Sequence, residues 1–328
     1  MTDADSIAVA LAEVLAPALG EVTVDGLRRL SAGANRETWA FDAIDHAGGR
    51  HELVLQRQRT GAGLPDQNSA EAAVLRHARA GGVTVAEVVA AGAPPNPVGR
   101  DYVVVRRLPG ESIARRILRD EPYAGARERF VADCARELAA IHALDPTPLT
   151  DLLVRVDDPV AAQRVSYERF DDPHPVFELA LRWLDERRPE PQDPRVVHGD
   201  FRMGNLLVDE DGLSGVLDWE LCHLGDPAVD LGWLVARPWR FGGDGEVGGM
   251  GSRAELLDRY EAAGGRALSL DELRWWEVVA TLRWGVACLF MVDDHRRGRS
   301  RSVELATIGR RVVEVEYDLL LLLPELVA

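Results

Sequence analysis

Three polar side chains of the types that phosphoryl transfer needs lie close together in the middle of the chain. Asp200 follows His198-Gly199, Asn205 comes five positions after Asp200, and Asp218 follows a second apolar segment. A carboxylate can accept the proton of an attacking hydroxyl. Amide and carboxylate oxygens are the ligands that Mg²⁺ prefers. The spacing therefore predicts Asp200 as a catalytic base, with Asn205 and Asp218 as magnesium ligands beside nucleotide phosphates.

A short β-hairpin is predicted between Asn205 and Asp218. Two apolar segments, 206–208 and 213–217, flank the turn Asp209-Glu210-Asp211-Gly212, a pattern typical of hairpins. Such a hairpin would return Asp218 to the neighbourhood of Asn205. A chance match to the spacing of His198, Asp200 and Asn205 is plausible in a chain of 328 residues. A match that is followed by a hairpin and a second aspartate is much less plausible by chance.

The composition limits the classes of protein to which the chain can belong. Its length of 328 residues is enough for two domains, and its formal charge of −16 argues against a nucleic-acid partner, which requires a basic face. No uninterrupted apolar run reaches the ~20 residues of a membrane span. Three widely spaced cysteines indicate neither disulfides nor a zinc site, and the acidic N-terminus lacks the basic segment of a signal peptide. We expect a cytoplasmic protein.

The chain contains no lysine, and it contains 38 arginines. Any contact with phosphate that other proteins make with lysine must here come from arginine or from backbone amides. Arginine can serve this purpose because its planar guanidinium group pairs with two phosphate oxygens at once.

The periodicity of apolar residues predicts an α+β chain with two lobes, residues 1–107 and 108–328. The smaller, β-rich lobe is expected to begin with a helix at 6–19, followed by two strands around the turn 31–35 and a third strand at 51–57. A helix with Glu71, around 71–75, and further strands, including one at 102–105, complete it. A cleft between two lobes is a usual place for a small-molecule site.

The larger lobe is predicted to be helical. Helices are expected at 127–143, 176–184, 273–291 and 303–323. Two capping boxes, Ser252 with Glu255 and Ser269 with Glu272, mark helix starts.

The motifs His198-Gly199-Asp200 and Asp218-Trp219-Glu220 are similar to those of the aminoglycoside phosphotransferase-like small-molecule kinases, which include the choline kinase type. The resemblance is closest to the kinase domain fused to some acyl-CoA dehydrogenases. It covers about residues 25 to 320 and is specific only around residues 196 to 233. It implies a protein-kinase-like fold, ATP and Mg²⁺ as cofactors, a small-molecule hydroxyl as acceptor, and a structural role for Asp230 in bracing the catalytic loop.

The resemblance also implies where the nucleotide binds. Ser31, Gly33 and Asn35 belong to the turn that would cover the phosphates, since small residues let backbone amides approach phosphate oxygens. The same five-residue sequence is also a common hairpin turn. The hinge segment, with Val105 and Leu108, would offer its backbone to adenine.

The sequence departs from the kinase pattern at the strand lysine. Aligning Leu53-Val54-Leu55-Gln56 with the V-A-I-K pattern places Gln56 at that position. The neighbouring Arg57 is the preferred replacement, with Arg59 as a second choice and Glu71 as the partner of the cation. Because side chains alternate along a strand, Gln56 and Arg57 should face opposite ways.

Several functions remain open at this stage. The preferred acceptor is a hydroxyacyl compound, and the basic segment 295–301 is a candidate site for an acidic acceptor, although such segments are usually solvated loops. The alternative is an aminoglycoside or another metabolite, and an aminoglycoside would require clustered carboxylates. A nucleotide-binding pseudokinase that acts as a regulatory module is supported only by the missing lysine. A metal-dependent hydrolase would need His or Cys clusters that the sequence lacks.

Overall fold

The computed structural model describes residues 3–32, 36–58, 67–299 and 302–323. The chain forms two compact units. The first contains Met1–Glu111, Leu207–Asp209 and Ser214–Leu221, and the second contains Ser112–Leu206, Glu210–Leu213 and Cys222–Ala328. The predicted hairpin is present as strands β7 (Leu206–Asp209) and β8 (Gly212–Val216), and its residues 207–209 and 214–216 belong to the first unit.

An antiparallel five-stranded sheet forms the first unit. The strand order is β1-β2-β3-β5-β4. The strands are β1 (Val22–Ala32), β2 (Arg36–Asp45), β3 (Arg50–Gln58), β4 (Val88–Gly92) and β5 (Tyr102–Arg106), and the helices are α1 (Asp3–Leu19) and α2 (Gln67–Ala80). The predicted N-terminal helix, third strand and Glu71 helix are confirmed.

One face of this sheet is buried against α1. Leu11 and Leu15 of α1 share a hydrophobic core with Leu53, Leu55 and other residues on that face. Leu53 and Leu55 are fully buried, whereas the intervening side chains are partly exposed. The alternation of β3 therefore separates a core face from a second face, which carries the residues at even positions.

The second unit is mainly helical. Its helices are α3 (Ala114–Arg119), α4 (Ala124–His142), α5 (Pro159–Tyr167), α6 (Pro175–Glu186), α7 (Ala228–Val235), α8 (Arg253–Ala262), α9 (Leu270–Arg296), α10 (Val303–Gly309) and α11 (Val312–Leu322). Two short strands, β6 (Arg195–Val197) and β9 (His223–Gly225), pair with each other. The predicted α+β class, with a β-rich part followed by a helical part, is confirmed.

Both predicted capping boxes begin helices. Ser252 accepts a hydrogen bond from the backbone N–H of Glu255 at 3.2 Å, and Ser269 accepts one from Glu272 at 3.1 Å. The prediction of one continuous helix over 303–323 was wrong, because α10 ends at Gly309 and α11 begins at Val312. Gly309 lies so close to Val292 of α9 that a β-carbon would not fit there, and glycine favours the end of a helix.

Helix α9 is the central helix of the second unit. Its apolar surface packs in one core with residues of α6, α7 and α11. By length and composition alone it could cross a membrane, although no uninterrupted apolar run of that length exists in the sequence. However, 72% of its most apolar window is buried inside the protein, as expected for a core helix.

Candidate active site

A buried aspartate, Asp230, holds the loop that carries Asp200. Located at the start of α7, it accepts the backbone N–H of His198 at Oδ2 (2.7 Å) and that of Gly199 at Oδ1 (2.8 Å). Nε2 of His142 lies 3.2 Å from the same Oδ2. Burial favours the neutral acid, but the hydrogen bonds and positive charge around it outweigh burial and lower the pKa of Asp230. Gly199 has a φ of 80°, which explains why glycine separates His198 from Asp200. The predicted bracing role of Asp230 is confirmed.

The Asp200 carboxylate is buried and fixed by three donors. Its Oδ1 accepts hydrogen bonds from Trp233 Nε1 at 2.7 Å and from Arg202 Nε at 3.1 Å. Its Oδ2 accepts one from Asn205 Nδ2 at 2.6 Å. His198 has a structural contact, since its Nδ1 accepts the backbone N–H of Asp200 at 3.1 Å. A carboxylate held in this way presents a fixed oxygen without needing to reorganise.

The side-chain oxygen of Asn205 is available to a cation. The amide nitrogen of Asn205 donates to the backbone oxygen of Asp200 at 3.0 Å and to its Oδ2 at 2.6 Å, so both amide hydrogens are used. In the part of the chain that the structure describes, no hydrogen bond reaches Oδ1 of Asn205. A hard oxygen ligand of this kind fits Mg²⁺.

In the first unit, Asp218 follows β8 in an uncommon backbone conformation. Its φ is 64°, a left-handed value that costs energy for a residue other than glycine and is often found at functional sites. Its Oδ1 accepts a hydrogen bond from Arg36 at 3.3 Å. About 40% of the side chain is exposed, so the carboxylate can also reach a ligand.

Arg36, at the first position of β2, binds three carboxylates of the first unit. Its guanidinium donates to Glu71 Oε2, to Glu220 Oε2 at 2.8 Å and to Asp218 Oδ1. The other oxygen of Glu71 accepts the backbone N–H of Trp219 at 3.2 Å. These contacts join the helix α2 and the segment after β8 through one guanidinium.

Burial and charge act in opposite directions on this cluster. Burial alone would lower the pKa of Arg36, but the carboxylates of Glu71, Glu220 and Asp218 outweigh it, so the pKa is raised and Arg36 stays charged. Burial raises the pKa of Glu71, and Arg36 opposes that shift. The prediction that Glu71 pairs with Arg57 was wrong, because its cation is Arg36. The sequence contained one signal for this role, the absence of lysine.

Arg57 lies on the core face of the sheet. Its Nε donates to Glu37 Oε2 at 2.8 Å, and its guanidinium carbon lies 5.9 Å from the centre of the Trp39 ring. Only 4% of the residue is exposed. Gln56 pairs with Thr38 in the register of β2 and β3, whereas Arg57 pairs with Glu37. The predicted alternation of Gln56 and Arg57 is therefore confirmed.

The remaining predicted nucleotide residues are placed as follows. Ser31 pairs with Thr38 in the register of β1 and β2, whereas Gly33, Asn35 and Arg59 lie outside the described residues. Val105 pairs with Val54 of β3. Leu108 follows β5 and lies over Gly215, where a β-carbon would clash with it.

The basic segment at the end of α9 is neutralised by neighbouring acids. Arg297 pairs with Asp293 at 2.8 Å, and Arg299 pairs with Asp293 and Asp294. These are exposed pairs, as in a solvated loop. Residues 300 and 301 of the segment are outside the described residues.

Comparison with known proteins identifies the family. The family model of the phosphotransferase enzyme family (APH) matches residues 26–276, more than half of the chain. The chain belongs to this phosphotransferase family. The APH match covers both the Arg36 cluster and the loop that carries Asp200, so the resemblance predicted from the motifs is confirmed.

The relatives of this APH-family chain include acyl-CoA dehydrogenase family member 10 of Mus musculus. The two sequences are 26% identical over 196 residues, which is 56% of this chain. The chain spans only 18% of the length of that relative. The predicted likeness to the kinase-like part of acyl-CoA dehydrogenase relatives is confirmed.

Solved structures of the family share the fold. An aminoglycoside phosphotransferase-type protein from Ralstonia eutropha superposes with a TM-score of 0.74 at 20% identity, covering 97% of this chain and 98% of that one. A thermostable mutant of aminoglycoside phosphotransferase APH(4)-Ia, in a ternary complex with AMP-PNP and hygromycin B, gives 0.61 at 19% identity, covering 95% and 99%. The predicted protein-kinase-like fold is confirmed.

Proposed function

We propose that this chain is a magnesium-dependent phosphotransferase that moves the γ-phosphoryl group of ATP to the hydroxyl of a small molecule. The observation that carries the proposal is the buried Asp200 carboxylate, oriented by Trp233, Arg202 and Asn205. Such a group has the properties of a base that orients a hydroxyl for in-line attack. The bound AMP-PNP of the APH(4)-Ia structure supports nucleotide binding in this fold.

Asp200 Oδ2 is the oxygen that we assign to the acceptor hydroxyl, because it receives one hydrogen bond while Oδ1 receives two. The acceptor oxygen forms a bond to the γ-phosphorus, the bond from that phosphorus to the β–γ bridging oxygen breaks, and ADP leaves. The hydroxyl proton passes to Asp200 Oδ2. Catalysis comes mainly from positioning the two reactants.

Asn205 and Asp218 are the proposed magnesium ligands. Bound there, Mg²⁺ would neutralise charge on the β- and γ-phosphates. Among the described residues, no cluster of three or more His, Cys, Asp or Glu side chains could hold a metal. This fits an ion that takes most of its ligands from phosphates and water.

The nucleotide contacts predicted from the resemblance are kept in the proposal. Ser31, Gly33 and Asn35 would cover the phosphates, and Val105 and Leu108 would meet the adenine. Glu71 would not contact the nucleotide itself but would position the arginine paired with it. The sequence predicted Arg57 as that arginine, whereas the structure pairs Glu71 with Arg36. We place the reaction in the cytoplasm.

The proposed acceptor is a hydroxyacyl compound, with an aminoglycoside as the alternative. The acyl-CoA dehydrogenase relative supports the first, and the hygromycin B complex of the fold neighbour supports the second. Arg202 contacts Asp200, and Arg283 stacks on Trp233, which also contacts Asp200, whereas an aminoglycoside would require clustered carboxylates.

The test is a screen for transfer of labelled γ-phosphate from ATP, with wild type and Asp200→Ala in parallel. The panel contains hydroxy acids, hydroxyacyl-CoA thioesters, aminoglycosides, and choline-like and sugar-like alcohols. We expect transfer that requires Mg²⁺ and is lost in Asp200→Ala. If wild type binds MgATP but shows neither transfer nor Asp200-dependent hydrolysis of ATP, the pseudokinase explanation replaces the proposal.

A further inference from the structure

An arginine for which the described residues show no polar partner lies in the middle of helix α9, among largely buried residues. Arg283 belongs to α9, and its helical neighbours Val279 and Val286 are 1% and 2% exposed. Within the described residues, its guanidinium makes neither a hydrogen bond nor an ion pair and only stacks on Trp233, with its central carbon 4.5 Å from the ring centre. Arg283 itself is partly exposed, so a ligand could reach its guanidinium group.

The same tryptophan connects Arg283 to the proposed base. Trp233 Nε1 donates to Asp200 Oδ1 at 2.7 Å, so Arg283 lies one side chain away from the reacting carboxylate. Burial lowers the pKa of Arg283, and Asp200 and Asp230 oppose this shift through their charges.

A second stacked arginine borders Asp200. Arg202 donates to Asp200 Oδ1 at 3.1 Å and stacks on Trp239, with its guanidinium carbon 4.5 Å from that ring centre. Trp233 and Trp239 are themselves in contact, with ring centres 5.1 Å apart. Trp233 and Arg202 thus contact one oxygen of the proposed base directly, and Arg283 and Trp239 contact that pair from behind.

We infer that Arg283, assisted by Arg202, binds an anionic oxygen group of the acceptor, so that the acceptor is an alcohol carrying a carboxylate or phosphate. This inference rests on the proposed function. The anionic group would be the negatively charged partner of Arg283, while the hydroxyl of the same molecule reaches Asp200. A cationic aminoglycoside would instead place its ammonium groups near two guanidinium groups and be repelled.

The test compares acceptors with the same hydroxyl group and different groups at the acid end. Short hydroxy acids, their methyl esters and the matching hydroxyacyl-CoA thioesters are assayed with wild type, Arg283→Met and Arg283→Lys. Because a charge-assisted hydrogen bond is lost, we expect KM for the favoured anionic acceptor to rise about 10- to 100-fold in Arg283→Met. The ester should be a poor acceptor for both proteins, and Arg283→Lys should recover part of the loss. Preference for the free acid or for the thioester distinguishes a carboxylate from the phosphates of CoA.

Two controls separate this inference from folding and from the proposed function. Arg187 also stacks on a tryptophan, Trp183, and Arg187→Met should leave KM unchanged; Kd for MgATP reports whether each variant is folded. Equal use of neutral or cationic acceptors, an unchanged acid-to-ester ratio in Arg283→Met, or no transfer to any anionic acceptor by a wild type that binds MgATP would overturn the inference. Failure of wild type to bind MgATP would overturn the proposed function itself.

A separate observation in the first unit concerns the missing strand lysine. In protein kinases that lysine pairs with a helix glutamate and contacts the phosphates. Here the helix glutamate Glu71 pairs with Arg36. Thr38, two positions after Arg36 on β2, is the register partner of Gln56. Arg36 therefore projects from the sheet face of Gln56, where a lysine would stand, and Arg57 projects from the other face.

We propose that Arg36 is the residue that contacts the nucleotide phosphates in place of the lysine. The guanidinium already lies beside Asp218, the proposed magnesium ligand. Its side chain is only 10% exposed, so Glu71 and Glu220 fix its position before a ligand arrives.

Rescue by a relocated lysine tests this assignment. Kd and KM for MgATP are measured for wild type, Arg36→Gln, Arg57→Gln and the double variant Arg36→Gln with Gln56→Lys. We expect Arg36→Gln to weaken MgATP binding about 10- to 100-fold through lost charge-assisted hydrogen bonds, and the added lysine to restore much of the loss. Arg50→Gln, on the exposed side of β3, should have no effect.

The assignment would be overturned by an unchanged Kd for MgATP in Arg36→Gln, by a larger loss in Arg57→Gln, or by a double variant no better than Arg36→Gln. All these outcomes presuppose that wild type binds MgATP. If wild type does not, the proposed function is at fault rather than the choice of arginine.

Discussion

At the scale of single residues, the candidate site depends on buried carboxylates whose charge is maintained by specific donors. Asp230 is fully buried, yet its pKa is lowered because His142 and backbone N–H groups stabilise the charged form. It contacts the loop that carries Asp200. Its ionisation should therefore affect the stability of the fold as well as the geometry of the base.

The pH dependence follows from the direction of that shift. A carboxyl whose pKa is lower in the folded state stabilises the protein above its unfolded pKa of about 3.9, and this contribution is lost as the pH falls. Asp230→Asn should therefore cost about 3 kcal/mol at pH 7, the usual loss when a buried pair is broken. The difference from wild type should shrink below about pH 4. Urea unfolding between pH 7 and 3 measures it, and a constant difference would contradict this account.

At the scale of elements, helix α7 must approach α9 closely to place Asp230. Gly232 of α7 packs against the backbone of Trp276 in α9, where a β-carbon would lie 2.6 Å from backbone atoms. Gly232→Ala should therefore destabilise the protein by about 1–3 kcal/mol through overpacking and reduce phosphate transfer. Thermal unfolding and the transfer assay measure both effects.

Gly125, in α4, provides the matched control. A β-carbon there meets only the carbonyl oxygen of Glu210, at 3.8 Å. Gly125→Ala should be neutral or stabilise the helix by up to about 1 kcal/mol. If the two substitutions have the same effect on stability, close packing of α7 on α9 is not the cause.

Local patterns were sufficient to predict much of the fold. The capping boxes at Ser252 and Ser269, the strand β3 and the hairpin after Asn205 all depend on neighbouring residues, and all are present. The brace at Asp230 was implied by the resemblance that the motif around Asp200 carries. The C-terminal helix was predicted too long because its break at Gly309 depends on contact with α9.

The partners of the cations could not be predicted from local patterns. Arg36 contacts Glu71 and Glu220, which are 35 and 184 positions away, so no short spacing connects them. Arg283 has apolar neighbours along its helix and stacks on Trp233 of another helix. The absence of lysine indicated that an arginine must replace the strand lysine. Only the register of β2 and β3 shows that Arg36 is the arginine on the face of Gln56.

At the scale of the whole molecule, ligand binding should stabilise the folded chain. Saturation with MgATP at about 100 times Kd adds about 2.7 kcal/mol, and EDTA should remove the magnesium-dependent part. Asp218→Ala should lose this stabilisation, whereas Asp200→Ala should keep it because the proposed role of Asp200 is to act on the acceptor. Thermal shift assays measure it. Equal loss in both variants would show that the roles of Asp200 and Asp218 are wrongly assigned.

The most direct test of the central claim is a single-turnover measurement of γ-phosphate transfer by wild type and Asp200→Asn at saturating MgATP, with the best acceptor from the screen. Asparagine keeps the size of the side chain but cannot accept the proton. The account predicts a transfer rate about 10²- to 10⁴-fold lower with an unchanged Kd for MgATP. Transfer at the wild-type rate in Asp200→Asn would contradict the assignment of Asp200 as the base.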